Sequence, residues 1–421
     1  MHNSQVLLKV DNINRLLAQA LIARDAADWS SLNQYLQQLT LENSLNHPKI
    51  FEHQDLLLEL ALLILEFGDF QQRWEVTKVF TCLGSVAIPA LIEILSDDTA
   101  DYELRWYAVR ILGKLKNTEA IPILIELIQN DDDEELRSMA SVALGQLGSK
   151  AILSLSQMLE QENTRLLATQ ALCYIRTKEI ILPLLSVTLD SQVGVRAAAI
   201  EALSSFQDPR VLPALLRALN DTDAQVRREA VQGLGFRRDL NNSDVVTLLQ
   251  PKLYDFDLGV ACAAAVSLSR IGGDIAASQL YHLLVSQAPL KLQIEAIRAL
   301  SWIGNAFSLE LLRKALYQIQ SPMLCEQIVV VLGRVQQLSL ARKAADILLE
   351  ILHQHPGRSV SCIRSAIALS LGQLGLVDTV EALTLLLADS STQVRLHALA
   401  ALKNLAPEKD WENPTFTQKS S

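Results

Sequence analysis

The sequence is poor in aromatic residues, glycine and proline, and this scarcity excludes several classes of fold. Only 5% of its 421 residues are Phe, Trp or Tyr, although half of the chain is apolar. The apolar fraction therefore consists mainly of Leu, Ala, Ile and Val, which fill the space between helices well. Sixteen glycines and twelve prolines are too few for the many tight turns of a β-rich protein. The composition predicts an all-α protein.

Cysteine, long apolar runs and positive charge are also scarce. The five cysteines stand far apart and form no Cys-x-x-Cys pair, which suits a reducing compartment. The longest apolar stretch, residues 56–67, contains Glu59 and is too short to cross a bilayer, so we expect no membrane span. A net charge of −10 opposes nonspecific binding to nucleic acid or to an anionic membrane. Residues 1–12 lack the basic and apolar segments of a secretory signal, which favours a cytoplasmic location.

One position recurs along most of the chain at a nearly constant spacing and holds arginine in eight of eleven cases. We number this position zero. Most intervals between successive zero positions are 31 to 34 residues, which is the spacing of a stacked helical array. The exceptions are an interval of 28 residues before Arg165 and one of 39 before Arg364. The eleven positions are Arg73, Arg105, Arg137, Arg165, Arg196, Arg227, Ala261, Gln293, Cys325, Arg364 and Arg395.

Each zero position opens an amphipathic pattern that predicts a helix, which we call helix B. An aliphatic residue stands at −1, a small apolar residue at +3 and Leu at +7, often followed by Gly, so one stripe of the helix is apolar. A second apolar segment, helix A, lies upstream and carries a proline near its start at Pro89, Pro122, Pro183 and Pro213. Proline is tolerated there because the N–H groups of the first turn have no intrahelical partner. The repeating unit is therefore a pair of helices.

A short acidic turn joins helix A to helix B. Asp131, Asp190, Asp221 and Asp389 each lie six residues before their arginine. An aspartate just before a helix can accept hydrogen bonds from its free N–H groups and complements its dipole. The same aspartate can reach an arginine of its own or of the next unit. We therefore predict a structural ladder of aspartate–arginine contacts along the array.

Together these features resemble the HEAT-repeat family, and the short period resembles its phycobilisome-lyase-type branch. The shared features are Pro early in helix A, Asp in the turn, Val-Arg at the start of helix B, and the Ala and Leu-Gly positions that follow, as in residues 226–235. The resemblance covers roughly residues 71–406 and implies an α-α superhelix, a HEAT-like solenoid of about ten to eleven helix pairs. It also implies a cyanobacterial source and a role in phycobiliprotein or iron–sulfur protein maturation. A bilin lyase subunit is the enzymatic alternative.

The two ends of the chain depart from the repeat. Residues 1–70 are helical in pattern but off the period, and we interpret them as an N-terminal cap with helices near 5–24, 29–40 and 53–67. A separate docking module is the alternative interpretation of this segment. The polar residues 407–421 are expected to form a disordered tail. The predicted solenoid lies between these two parts.

No catalytic motif or cofactor site emerges from the pattern of residues. The seven histidines are dispersed, and His353 and His355 would point to different sides of a helix. Cys262, Cys325 and Cys362 are thiol candidates for cofactor ligation, but a free cysteine is more often a small buried apolar side chain. We therefore predict no metal, no cofactor and a non-catalytic function, while the lyase alternative keeps an enzymatic role open.

The face of helix B opposite the apolar stripe carries the most informative residues. Positions +1, +5 and +9 hold seven basic residues against two acidic ones, in a chain that is acidic overall. These positions also hold a large share of the aromatic residues. Trp and Arg anchor binding surfaces because each covers apolar area and keeps a polar group. The residues predicted to bind a partner are Trp74, Lys78, Trp106, Tyr107, Arg110, Lys114, Arg228, Arg298 and Trp302.

This face predicts a protein-binding scaffold or adaptor that acts through the concave face of the solenoid. Its excess of positive charge favours an acidic protein partner. Single-stranded nucleic acid also binds arginine and aromatic side chains, but the net charge of the chain disfavours it. The alternative interpretation is that the aromatic side chains only pack between repeats.

Overall fold

The structure, a computed structural model, consists of helices joined by short turns. The residues that it describes contain no β-strand, which confirms the predicted all-α class. The chain divides into two compact units, Met1–Phe206 and Gln207–Ser421. The repeat pattern gives no sign of this boundary, because the spacing of the zero positions does not change across it. The described residues are 2–42, 52–97, 99–354, 360–408 and 411.

The first unit contains two leading helices followed by five pairs of the predicted A–B type. The leading helices are α1 (His2–Asp25) and α2 (Trp29–Gln37), and α2 continues into a π-helical turn, Gln38–Glu42. The pairs are α3 (Gln54–Phe67) with α4 (Phe70–Leu83), α5 (Ile88–Ser96) with α6 (Tyr102–Leu115), α7 (Ile121–Asn130) with α8 (Glu134–Gln146), α9 (Ile152–Met158) with α10 (Glu162–Tyr174), and α11 (Ile181–Ser186) with α12 (Val193–Leu203).

The second unit contains six further pairs, so the described residues form eleven pairs in all, which agrees with the predicted ten to eleven. The pairs are α13 (Leu212–Ala218) with α14 (Ala224–Gly235), α15 (Asn242–Leu249) with α16 (Leu258–Ile271), α17 (Gly273–Leu284) with α18 (Leu290–Ile303), α19 (Ala306–Gln318) with α20 (Pro322–Leu332), α21 (Leu338–Gln354) with α22 (Ser361–Leu374), and α23 (Val380–Leu386) with α24 (Thr392–Leu405).

Within each unit, successive B helices pack on one another in chain order, and each A helix packs on its own B helix. Helices lie near all three segments predicted in residues 1–70, and α3 packs on α4 as an A helix packs on a B helix. The division into a cap, a solenoid and a tail stays a prediction. Residues 409, 410 and 412–421 of the predicted disordered tail lie outside the described residues.

The residue at +7 of every helix B lies in the hydrophobic core. Each of these side chains is fully shielded from solvent, as the apolar stripe predicts. Burying a leucine contributes roughly 1.5–3 kcal/mol, so the set is a major source of stability. The residues are Phe80, Leu112, Leu144, Leu172, Leu203, Leu234, Leu268, Leu300, Leu332, Leu371 and Leu402.

The glycine that often follows this leucine lies where neighbouring B helices approach most closely. A Cβ atom on Gly145 would lie 2.7 Å from the carbonyl oxygen of Ala171 and 2.9 Å from Cβ of Tyr174. A Cβ atom on Gly235 would lie 2.6 Å from Cβ of Ser267. Any side chain at either position would collide with the next helix B. The Leu-Gly dipeptide therefore indicates where neighbouring B helices pack closely.

The predicted ladder is present in both units, and several of its arginines join their own repeat to the next one. Arg165 Nη1 donates to Asp190 Oδ2 at 2.8 Å, twenty-five residues along the chain. Arg227 Nη2 donates to Asp255 Oδ1 at 2.7 Å, and its Nη1 donates to the carbonyl oxygen of Asp221 in its own A–B turn at 2.9 Å. The arginines therefore set the register between successive repeats.

At two zero positions that lack arginine, the side chain still contacts the turn between helix A and helix B of its own repeat. The amide of Gln293 donates to the carbonyl oxygens of Leu284 and Ser286 at 3.0 and 2.9 Å. The thiol of Cys325 lies 3.7 Å from the carbonyl oxygen of Ile319. These positions thus tie helix B to the preceding turn even without a guanidinium group.

The ladder aspartates do not cap helix B directly, which corrects one part of the predicted arrangement. Asp131 Oδ1 accepts a hydrogen bond from the backbone N–H of Asp133 at 2.9 Å. Asp133 is the N-cap residue, and its carboxylate accepts from the N–H of Leu136 at 2.8 Å. The ladder aspartate therefore shapes the turn two residues before the cap.

The ladder makes a testable prediction about pH. Arg364 and Asp389 form a bidentate pair whose side chains are 15% and 8% exposed. The hydrogen bond from Arg364 outweighs the opposing effect of burial and lowers the pKa of Asp389. We expect Asp389→Asn to lower the free energy of unfolding by about 2 kcal/mol at neutral pH, since the bond involves two charged groups.

The sign of the pH dependence follows from the lowered pKa in the folded state. The contribution of the pair is complete above the pKa of an unfolded aspartate, about 3.9, and is lost as the pH falls through the lower folded value. Urea unfolding of both proteins between neutral and acidic pH measures the difference. The exposed Glu381, replaced by Gln, is the control. A difference that stays constant down to about pH 2 contradicts the assignment.

One helical stretch of the described residues, Phe70–Ser96, has the length and apolar composition of a membrane-crossing helix. It comprises α4, the 3-10 turn Gly84–Ala87 and α5. Such a stretch is weak evidence, because core helices of soluble proteins have the same properties, and Phe80 and Leu91 within it are fully buried. The expected absence of a membrane span stays a prediction.

Candidate partner-binding site

Five of the predicted partner-binding residues form one patch on α4 and α6, which we call the ridge. Residues four apart share a helix face, so Trp74 and Lys78 project together from α4, as do Trp106, Arg110 and Lys114 from α6. The two helices pack on each other as neighbouring B helices. The structure therefore brings together residues that are 32 positions apart in the sequence.

The guanidinium group of Arg110 lies at the centre of the ridge. Its Cζ atom is 3.8 Å from the ring centre of Trp74 and 5.5 Å from that of Trp106. A guanidinium group over an indole face is attracted by the ring quadrupole. Arg110 thus links the two tryptophans of successive repeats and holds the ridge in a defined arrangement.

The start of α4 supports the ridge from one side. Asp69 and Gln72 form a capping box, in which the Asp69 carboxylate accepts from the Gln72 N–H and the Gln72 side chain accepts from the Asp69 N–H, both at 2.9 Å. The ring of Phe70 stacks on that of Trp74 with their centres 6.2 Å apart. The capped first turn therefore positions Trp74.

Tyr107 lies beneath the ridge, and we correct the prediction that it contacts a partner. The residue is 1% exposed, and its ring centre lies 5.0 Å from that of Trp106. Its hydroxyl donates to the carbonyl oxygen of Phe70 at 3.2 Å, and burial raises its pKa. Position +2 of helix B points between the helices, so Tyr107 supports the indoles instead of exposing its own ring.

The positive charges of the ridge are not neutralised within the part of the chain that the structure describes. Lys78, Arg110 and Lys114 form no ion pair there. Burial, followed by the nearby charges of Arg110 and Lys78, lowers the pKa of Lys114. Trp74 remains 39% exposed, whereas Trp106 is half-buried. The ridge thus combines indole surface with unpaired positive charge, and its tryptophans also pack between repeats.

A cavity of about 210 Å³ adjoins the ridge between α6 and α8. Two ridge residues line one side of it, and residues of α8 line the other. Three of the side chains are apolar, two are basic and one is an amide. The lining residues are Arg110, Lys114, Met139, Val142, Ala143 and Gln146.

The remaining predicted residues belong to the second unit. Arg228 is exposed and forms an ion pair with its neighbour Glu229 at 3.2 Å. Arg298 is exposed and pairs with Glu295 at 3.5 Å, one helical turn away. Trp302 is 62% exposed. These arginines are partly neutralised by neighbouring carboxylates, in contrast to the basic residues of the ridge.

The second unit also contains an aromatic–basic contact that the predicted site omits. Arg270 places its Cζ atom 4.3 Å from the ring centre of Phe236. Both residues occupy position +9 of successive B helices, so the repeat numbering itself could have found the pair. The ridge contact differs, because Arg110 lies at +5 of its helix and Trp74 at +1 of the preceding helix B.

The three candidate thiols are shielded to different degrees. Cys325 is buried, and Cys262 and Cys362 are half-buried; burial raises the pKa of all three thiols. The described residues contain no group of three or more His, Cys, Asp or Glu side chains that could hold a metal ion. His353 is exposed, and His355 lies outside the described residues. A role for these groups in cofactor binding is not tested by these observations.

Comparison with known families matches the repeat directly. The model of HEAT repeats matches residues 88–167, 152–235 and 212–290. The matched segments cover the pairs that contain the ridge helix α6, the cavity helix α8 and the ladder contacts of Arg165 and Arg227, whereas the ridge helix α4 and the Arg364–Asp389 pair lie outside them. The match shows HEAT repeats in residues 88–290, which are just under half of the chain.

One curated relative bears on which branch of the HEAT-repeat family this chain resembles. The bilin biosynthesis protein RpcF of Synechococcus sp. (strain WH8020) is 33% identical to this chain over 128 residues, which are 30% of this chain. The chain spans 47% of the length of that relative. The similarity agrees with the predicted resemblance to phycobilisome-lyase-type HEAT repeats.

Solved structures bear on the fold alone. A chain from a Kap95p–RanGDP nuclear import structure aligns over 97% of this chain and 62% of its own length, with a TM-score of 0.51 and 14% identity. A structure of importin beta aligns over 92% of this chain and 64% of its own length, with a TM-score of 0.50 and 13% identity. Both likenesses confirm the predicted HEAT-like α-α solenoid.

Proposed function

We propose that the chain is a non-catalytic scaffold or adaptor of the cytoplasm and binds an acidic protein on the ridge. The observation that supports this proposal is the stacking of Arg110 on Trp74, with Trp106 beside it and Lys78 and Lys114 unpaired nearby. The tryptophans supply apolar contact area, and the basic groups select carboxylates. The chain has a net charge of −10, yet the ridge is positively charged. Packing between repeats does not require this local positive charge, whereas binding of an acidic partner does.

The partner that fits this proposal best is a phycobiliprotein. The similarity to a bilin biosynthesis protein supports that choice, since bilins are the pigments of phycobiliproteins. The fold is consistent with it, because a stack of helix pairs presents a row of equivalent helix faces. The role of the chain would then be to hold a phycobiliprotein during its maturation. A role in iron–sulfur protein maturation stays a prediction, and neither the ridge nor the relative favours it.

The second candidate function is that of a bilin lyase subunit. The same relative favours it, and the ridge offers the groups that a bilin requires. Basic side chains would hold the propionates of the open-chain tetrapyrrole, while the indoles of Trp74 and Trp106 would contact its rings. This candidate differs from the first in chemistry, because a lyase joins the pigment covalently to its acceptor protein.

Titration of the purified chain with a purified apo-phycobiliprotein subunit tests the proposal and separates the two candidates. We expect a reversible complex that forms without bilin and weakens as the salt concentration rises, because screening reduces charge attraction. Binding that is insensitive to salt contradicts the ridge as the contact surface. In a parallel reaction with bilin, a coloured covalent adduct that forms only in the presence of the chain selects the lyase.

A further inference from the structure

The cavity beside the ridge suits a more specific ligand than the ridge surface as a whole does. We infer that it binds the side chain of one glutamate residue of the protein partner. This inference rests on the proposed function, because it assigns the residue that anchors the acidic partner. Its support comes from the size, the charge and the apolar lining of the cavity.

The size of the cavity fits one side chain. Its volume is about 210 Å³, whereas pockets that enclose whole small-molecule ligands measure roughly 300–1,000 Å³. A tetrapyrrole would leave most of its surface outside. A single long side chain, presented by a larger protein, fills a space of this size and leaves the remaining contact to the ridge.

The charge of the cavity favours an anion. Arg110 and Lys114 both line it and have no carboxylate partner among the described residues. Charge-assisted bonds to a carboxylate are among the strongest that proteins form. A carboxylate therefore gains more in this cavity than a neutral group.

The apolar side of the cavity favours glutamate over aspartate. Met139 and Val142 of α8 are half-buried and line the wall away from the basic groups. The two methylene groups of a glutamate side chain cover this wall while its carboxylate reaches Arg110 and Lys114. The single methylene of aspartate leaves part of the wall exposed to water.

An amide completes the lining, and a glycine makes room for it. Gln146 lines the cavity from α8, and a Cβ atom on Gly113 would lie 2.7 Å from its Oε1. Only glycine at 113 leaves the Gln146 side chain where it lies. The amide N–H of Gln146 is a further donor that a bound carboxylate can accept from.

Fluorescence anisotropy with two labelled peptides tests the inference on the full chain. The probes are octaglutamate and octaaspartate, which carry the same number of carboxylates. We expect octaglutamate to bind more tightly at low salt. Lys114→Gln should weaken octaglutamate about tenfold, as expected for the loss of one charge-assisted contact. Lys150→Gln removes the same charge from an exposed site outside the cavity and should leave the affinity nearly unchanged.

A second variant tests the cavity without changing its charge. Val142→Phe should fill the space and weaken octaglutamate while the binding of octaaspartate changes less. Circular dichroism and thermal melting of each variant show whether it is folded. The inference is overturned if the Lys114 and Lys150 variants lose the same affinity for octaglutamate, or if the unmodified chain binds the two peptides equally tightly. Either result would mean that the peptide is attracted by the overall charge of the surface and not by the cavity.

Biliverdin, a tetrapyrrole with two propionates, is the competing probe. If biliverdin binds, depends on Lys114 and excludes octaglutamate, the cavity belongs to a pigment and the inference is wrong. If neither probe binds, it is also wrong. The proposed function fails separately, when a phycobiliprotein subunit does not bind or binds without dependence on the ridge. The two failures are therefore distinguishable.

Discussion

The double substitution Lys78→Glu with Lys114→Glu is expected to abolish binding of the protein partner while the chain stays folded. Both lysines are exposed, so their replacement removes no core contact and should change the free energy of unfolding by less than about 0.5 kcal/mol. The substitution converts two of the three positive charges of the ridge into negative ones. Like charges across an interface cost several kcal/mol, so a loss of at least about a hundredfold in affinity is expected.

Calorimetric titration with the apo-phycobiliprotein subunit at two salt concentrations measures this loss. The matched control is Lys150→Glu with Lys178→Glu, which makes the same change in net charge at two exposed lysines outside the ridge. The loss in the ridge variant should be larger at low salt than at high salt, because screening weakens repulsion as well as attraction. Equal affinities of the ridge and control variants would place the binding surface elsewhere in the chain.

The substitution Leu172→Asp is expected to unfold the repeats around α10. Leu172 is the +7 residue of that helix and is fully buried. A carboxylate at this position would lie in the apolar core without a partner, which costs at least about 4 kcal/mol. Because each repeat depends on its neighbours for a covered core, the loss should extend to the adjacent pairs.

Thermal melting and far-ultraviolet circular dichroism measure this effect. Gln170→Asp is the control, since Gln170 lies two residues earlier in the same helix and is exposed. It introduces the same carboxylate into the same helix without burying it. A large fall in melting temperature is expected for Leu172→Asp alone. Similar melting of the two variants would show that the core positions of helix B are wrongly assigned.

The sequence by itself determined the repeating architecture, because periodic patterns record local physics. The zero position with its 31 to 34 residue spacing, the prolines near the start of helix A and the apolar stripe of helix B together identified a stack of helix pairs. The ladder was also predictable, since Asp190 and Arg165 recur at fixed distances from their own helices. Helical periodicity and capping depend on residues a few positions apart, which a single sequence displays directly.

The repeat position predicted that Trp74 and Trp106 lie on one surface, but only the tertiary structure showed that Tyr107 lies beneath it. Trp106 and Tyr107 are adjacent in the chain, yet the first reaches the ridge and the second is buried beneath it. Position +2 faces neither the apolar stripe nor the opposite face, so helical periodicity alone does not decide its exposure. The packing of α4 against α6 decides it.

The contacts between repeats likewise required coordinates. The sequence shows Gly113, Gly145 and Gly235 after a leucine, but not that a side chain there would strike the next helix B. The stacking of Arg110 on Trp74, and the cavity between Lys114 and Val142, arise from residues of successive repeats that meet only in the folded chain. The physical reason is that the distance and orientation of neighbouring helices are set by the packing of all their side chains, whereas the repeat pattern specifies only which face of each helix is apolar.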